Sequence, residues 1–255
     1  MTSPVGASSS MCHSIEGLES AAAAVLTRAV KFDKENRNLE ALTCYSEGTD
    51  ILMAVLKALP KADTRKENMR TRINSYLSRA EQLKELIENT KKSGKFHEQI
   101  RIDDDDTGFG YDSLFAPIVD NCVQGVQVQD PYVRQHHQLM NFVRFCEYFV
   151  RHAKSLRTIT LITTRPDAKS EVRNLQQRAF TELRESLKQR AVNLTVSYST
   201  TIHDREIRFD TGWVVKIGRG LDYFKKPTSN YSVGAVDLNL RKCHETIVDI
   251  YYESR

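Results

Sequence analysis

The sequence predicts two domains of different class, an all-α three-helix bundle followed by an α/β domain. Three observations carry this: apolar residues at helical spacing over residues 15–89, interrupted only by Pro60; a lysine-rich break at residues 91–95; and β-branched runs alternating with helical stretches beyond it. A length of 255 residues fits two domains, since one usually takes about 100–200 residues. With 40% hydrophobic and 27% charged residues the chain can bury a core, which excludes a mostly disordered or low-complexity protein. Its longest apolar run, residues 21–26, falls far short of the roughly 20 residues a membrane-spanning helix needs. The net charge of +4 excludes little, so the distribution of charge matters more than its sum.

Residues 1–13 lack a basic stretch followed by an apolar one, so they read as a flexible tail rather than a secretory signal. The five cysteines (Cys12, Cys44, Cys122, Cys146, Cys243) are odd in number, scattered and without a CxxC pair. Reduced thiols in the cytoplasm are expected, with no metal and no cofactor. The first helix carries Leu18, Ala22, Val25, Ala29 and Val30 on one face and ends in the charged turn at residues 33–38. The second runs over residues 39–59 and stops at Pro60, which has no amide proton. It bears two apolar stripes, Leu42, Tyr45, Leu52, Leu56 and Leu59 beside Ala41, Cys44, Ile51 and Val55, the mark of a helix between two neighbours. The third starts at Asp63 or Thr64 and aligns Met69, Ile73, Tyr76, Ala80, Leu83 and Ile87.

Next to that third stripe lies a polar one, Arg70, Asn74, Leu77, Glu81 and Lys84, in which Leu77 is the exception. Either Leu77 widens the core stripe, or it lines a groove for a partner helix, flanked by charges that fix register. Several features together resemble an MIT domain: the Ala29-Val30 pair before Asp33, Ala-Leu-x-x-Tyr at residues 41–45, and Arg79-Ala80-Glu81-x-Leu83-Lys84. The resemblance implies a three-helix bundle that binds C-terminal helices of ESCRT-III subunits, commonly between the second and third helices. By position, Leu77 would line the leucine pocket and Glu81 would pair with a basic residue of the partner; Lys84 follows on the same stripe. Met53, Leu56, Met69 and Ile73 would form the walls.

The bundle is expected over residues 14–92, a linker over 93–98 and the α/β domain over 99–255. In the latter, strands are expected at residues 125–128, 157–162, 191–196, 212–217, 233–238 and 246–251, and helices at 134–154 and 170–189. Alternation of that kind implies a layered structure with a largely buried sheet. The acidic run at residues 103–106 reads as a solvated loop, for it lacks the ligand spacing of a calcium site.

His203, Arg205 and Asp210 sit at offsets of zero, two and seven. In a strand the first two share a face and could reach one phosphate, where imidazole attack on phosphorus would need a cation on the transferring oxygens. The spacing resembles the HxKx4D signature of the phospholipase D superfamily, with residues 213–220 resembling the strand and glycine turn that follow. Two departures weigh against catalysis. Arginine replaces the lysine, and a guanidinium does not substitute freely for a compact ammonium. That chemistry also uses two motifs, whereas this chain has one; a homodimer could juxtapose two copies of His203. A catalytic site, an inactive phosphate site and a purely structural pair all stay open. Downstream, Lys216, Arg219, Tyr223, Phe224, Lys225 and Lys226 form a basic, aromatic cluster suited to anionic lipid headgroups, to a nucleic-acid backbone, or to a solvated turn with Phe224 in the core. The mild net charge disfavours nucleic acid.

The combination, through residues 130–147 (DPYVRQHHQLMNFVRFCE), 203–209 (HDREIRF), 218–227 (GRGLDYFKKP) and 243–250 (CHETIVDI), resembles the family that joins an MIT bundle to a phospholipase D-like domain. It implies a homodimer formed by the C-terminal domain, binding to acidic phospholipids including phosphoinositides, and recruitment by ESCRT-III to late endosomal membrane and to the midbody during abscission. It does not imply catalysis.

Overall fold

The computed structural model describes residues 6–60, 62–167 and 170–254, and for residues 6–14 the backbone course alone. The chain divides between Ser93 and Gly94 into two units. The first consists of α1 (Gly6–Lys34), α2 (Asn38–Ala58) and α3 (Arg65–Lys92). Helix α1 starts well before the expected residue 14, within the stretch read as a tail: from Gly6 to Ser14 the sequence holds no proline or further glycine, and extending an existing helix is far easier than nucleating one. Residues 1–5 of the expected tail lie outside the described residues.

Ala22, Val25, Leu26 and Ala29 carry the core face of α1, while Leu18 and Val30 stay exposed, a shift of the stripe toward Leu26. At Gly48 of α2 an added Cβ would lie 2.6 Å from the Leu26 Cγ, so glycine permits the close approach of the two helices. As its two stripes require, α2 buries Ala41, Cys44, Tyr45, Leu52 and Val55 between α1 and α3. Just ahead of helix α3 the Asp63 carboxylate accepts from the Arg65 amide at 2.9 Å, and the helix buries Ile73, Ala80, Leu83 and Ile87. All three helices meet at Asp33. The Arg79 guanidinium donates to it at 2.8 and 2.7 Å, and the Tyr45 hydroxyl at 3.1 Å. Arg79 holds the Asp33 carboxyl below its ordinary range, and burial together with Asp33 pushes the Tyr45 phenol up to about 12.

The second unit is built on a seven-stranded sheet: β1 (His97–Ile102), β2 (Gly125–Gln129), β3 (Thr158–Thr163), β4 (Asn193–Tyr198), β5 (Glu206–Phe209), β6 (Trp213–Ile217) and β7 (Thr246–Tyr252). Their order is β1-β7-β6-β5-β2-β3-β4. Strands β2, β3 and β4 are parallel, and the rest pair antiparallel. Parallel neighbours require crossovers, which α5 (His136–His152) and α6 (Glu171–Lys188) supply. A short α4 (Tyr111–Phe115) adds to the helical layer. Phe145 and Phe149 on α5 pack with Phe115, Phe142 stacks on Phe145, and Phe149 reaches Phe209 on the sheet.

Several expectations need correction. One sheet face is covered, not both: along β1, β2 and β5 buried residues alternate with exposed or half-exposed ones, and the open face carries the register row Gln99, Asp249, Lys216, Glu206, Gln129. The linker expected over 93–98 is shorter, since Phe96 is buried against Trp213 and β1 begins at His97; the polar sequence HEQIRI hides its alternation. Residues 233–238 form no strand, because Val233 and Val236 have no neighbouring strand to pair with, and the segment ends in a 3-10 turn over Leu238–Leu240. Among the described residues no helix is long and apolar enough to cross a membrane.

Candidate functional site

On α3, Leu77, Glu81 and Lys84 all face outward. Leu77 is 37% exposed, so it does not merely widen the core stripe. Met53 and Leu56 on α2 are half-buried. Two expected wall residues lie elsewhere: Ile73 is in the core, and Met69 lines a space between α1 and α3. Met69 is turned toward α1, whereas Ile73, one turn before Leu77 on the same side of the helix, is covered by the core.

That space between α1 and α3 escaped sequence reasoning. Two cavities of about 500 Å³ and about 430 Å³ share Ala23, Leu26 and Arg72. Their apolar walls include Val30, Tyr76, Leu52 and Met69, and Lys31, Lys34, Arg65 and Arg72 outnumber Glu19 and Glu35 around them. The exposed Val30, placed by periodicity on the core face, was the available signal.

The His203 motif does not assemble in the second unit. His203 lies in the loop before β5, exposed and without a hydrogen-bond partner, and Asp210 lies beyond the other end of that strand. There the Asp210 carboxylate accepts from the Gln124 amide at 3.1 and 3.2 Å, an anchor for the entry to β2. Arg205 is also off the strand. Its guanidinium lies 4.4 Å from the Tyr132 ring centre and donates to the Gly218 carbonyl at 2.7 Å. Shared-face geometry thus fails because the strand starts only at Glu206.

What Arg205 covers is the end of β2, where Asp130 is buried. The Asp130 carboxylate accepts from the Tyr132 amide at 2.9 Å and the Leu221 amide at 3.2 Å. Burial raises its pKa, partly offset by those two amides and by the charge of Arg205. Gly220, at φ 62°, closes over it: a Cβ there would lie 2.1 Å from the Asp130 Oδ2. The remaining space, lined by Val128, Ile207, Ile217 and Leu221 among others, is only about 10 Å³. One water needs that much, and a phosphoryl group needs far more. Motif reading missed the buried Asp130, although the Asp130-Pro131 pair marks the end of the Val-Gln-Val-Gln strand.

The basic cluster is also divided. Tyr223 and Phe224 are core residues: the Tyr223 hydroxyl donates to the Phe109 carbonyl at 2.7 Å, and Phe224 packs edge-on against Tyr111. Neither can enter a membrane interface, because each is already consumed by packing. Lys216 lies on the open sheet face near Glu206, at 3.9 Å. Lys225 is gripped by Asp104 at 2.6 Å and Asp105 at 2.8 Å, and Lys242 also reaches Asp105. The acidic run expected to be merely solvated is thereby tied to lysines, which hold the Asp104 and Asp105 carboxyls below their usual range. Arg219 and Lys226 stay exposed and unpaired. Among the described residues no cluster has the makings of a metal site.

Comparison with known proteins places these two units in context. Residues 19–85 match the model of the MIT (microtubule interacting and transport) domain. Residues 108–252 match that of the phospholipase D-like domain at the C-terminus of MIT. The chain is 47% identical over 232 residues to MIT domain-containing protein 1 of Mus musculus, covering 91% of this chain and 92% of the relative.

Proposed function

Because the chain belongs to the family that joins an MIT domain to a C-terminal phospholipase D-like domain, we propose that it is a non-catalytic adaptor between ESCRT-III and membranes. Its MIT domain binds C-terminal helices of ESCRT-III subunits. Its second domain dimerises and binds acidic phospholipids, phosphoinositides included. Abscission at the midbody, and residence in the cytoplasm and on late endosomal membrane, follow from the family resemblance. Tethering makes the second of two weak contacts effectively intramolecular, so modest affinities add up to firm recruitment.

The observation that carries the reading is the contrast at α3: Leu77 is exposed, and Glu81 and Lys84 beside it have no ion-pair partner among the described residues. An apolar residue flanked by free charges of both signs suits an amphipathic helix docking in fixed register. The basic, apolar-walled space between α1 and α3 offers a second docking surface, favoured for a more acidic segment. Titrating ESCRT-III tail helices into Leu77→Asp and, separately, Arg72→Glu distinguishes the two. Affinity lost at Leu77 alone supports the α2–α3 side, and wild-type affinity in both variants removes the groove reading.

For the second domain, the closed space under Arg205 supports an inactive fold over a phosphodiesterase. Turnover of a phosphodiester by the wild type that disappears in His203→Ala would reinstate the enzyme. With Tyr223 and Phe224 buried and Lys225 paired, Arg219 and Lys226 are the cations of the basic cluster without an ion-pair partner among the described residues. Changing both to glutamate is expected to weaken flotation with acidic vesicles.

A further inference from the structure

The segment between Lys226 and Arg241 displays apolar side chains that nothing in its own domain covers. Tyr231 is 100% exposed, Val233 86% and Val236 83%. This is a built loop. Ser232 Oγ donates to the Ser229 carbonyl at 2.8 Å, and the Ala235 amide donates to the Ser232 carbonyl at 3.0 Å. At its base the buried Arg241 guanidinium donates to the carbonyls of Gly234 and Ala235. Asn239 locks the return by accepting from the Gly110 amide at 2.9 Å and the Ser113 hydroxyl at 3.0 Å. Ordered backbone beneath and apolar side chains above are the reverse of what burial alone would favour.

Charge completes the pattern. From Pro227 to Val236 the sequence has no ionisable group except Tyr231; the exposed Asp237 follows, and of the nearby lysines Lys226 is free while Lys225 and Lys242 are held by Asp104 and Asp105. Lys226 has no partner, and no carboxylate neutralises Arg241. An apolar tip with a free lysine at its base suits a deformable anionic layer, which accepts protruding side chains without a matching pocket. Tyrosine is favoured at headgroup depth, and lysine at the phosphates.

We propose that residues 229–240 form a membrane-inserting loop: Tyr231, Val233 and Val236 enter the headgroup–acyl boundary of an anionic lipid surface while Lys226 meets its phosphates. The inference rests on the membrane reading above and supplies the apolar anchor that the buried Tyr223 and Phe224 cannot.

The test is flotation of the full chain with phosphatidylcholine vesicles with and without phosphatidylserine, comparing wild type with the triple variant Tyr231→Ser, Val233→Ser, Val236→Ser. These side chains are outside the core, so the melting temperature should not move. Binding to the acidic vesicles should fall about tenfold or more. As a direct reporter, Tyr231→Trp should show a blue-shifted emission quenched by brominated acyl chains. Wild-type flotation by the triple variant overturns the loop and leaves the membrane reading standing. Failure of the wild type itself to float overturns both. A changed mass in solution for the triple variant, without lipid, assigns the loop to a contact with a second copy and overturns the proposal too.

Discussion

Helix α3 and the approach to β5 each hold residues whose pattern departs from simple burial, and the fold treats them in opposite ways. On α3 the odd residue stays open: Leu77 points outward between unpaired charges. Around β5 the odd residues are absorbed. Arg205 lies against Tyr132 and Gly218, Asp210 anchors the entry to β2, and Asp130 is sealed under Gly220. Only His203 is left outside. Motif residues around β5 are thus taken up in packing contacts, whereas at Leu77 the fold leaves an apolar side chain uncovered. The same contrast separates the buried Tyr223 and Phe224 from the exposed Tyr231.

Substitutions that force this contrast span a wide range of effect. The largest is expected at Gly220→Ala, where a Cβ would collide with the Asp130 carboxylate and the positive φ adds strain. A loss of about 3 kcal/mol or more is expected in chemical denaturation of the second domain; a loss under about 0.5 kcal/mol would mean that the sealed site is not tight. Next, Arg205→Ala removes a ring contact and a charged hydrogen bond and should cost about 1–2 kcal/mol. His203→Ala in the same measurement should change stability by less than about 0.5 kcal/mol. Equal costs would show that the two residues still act as one site.

In the bundle, Arg79→Ala should cost about 1 kcal/mol at neutral pH, since the pair with Asp33 is partly solvent-screened. The sign with pH is fixed. Arg79 lowers the Asp33 pKa below its ordinary 3.8, so the contribution is present above that value and is lost as pH falls through the lowered one. The difference between wild type and Arg79→Ala should shrink below about pH 4. A penalty that persists unchanged there points to packing of the arginine stem. The smallest expected effect is Leu77→Asp, which should shift the melting temperature little while removing partner binding. A large drop in stability would return Leu77 to the core.

The two classes of domain, the break near Ser93 and the helical stripes were legible in the sequence because each depends on local periodicity and on breakers such as Pro60. The phospholipase D-like fold was legible through its motif even though the motif no longer assembles. Harder to read were β1, where the buried Glu98 on the inward face masks the alternation, and the non-strand at residues 233–238, whose valines imitate one. The expected lipid cluster was divided for a related reason: lysines and aromatics adjacent in sequence do not reveal which are pinned. Lys225 met Asp104 and Asp105 from a loop some 120 positions earlier, and Phe224 met Tyr111.

By itself, then, the sequence determined the element types, the domain order and the family, since these rest on short-range spacing and on quoted motifs. Tertiary structure alone decided which candidates remain available. It closed the space beneath Arg205, buried Tyr223 and Phe224, opened a space between α1 and α3, and raised Tyr231, Val233 and Val236 into solvent. Periodicity fixes the face a side chain occupies on its own element, but what covers that face comes from residues far away in the chain, and no local pattern encodes their arrival.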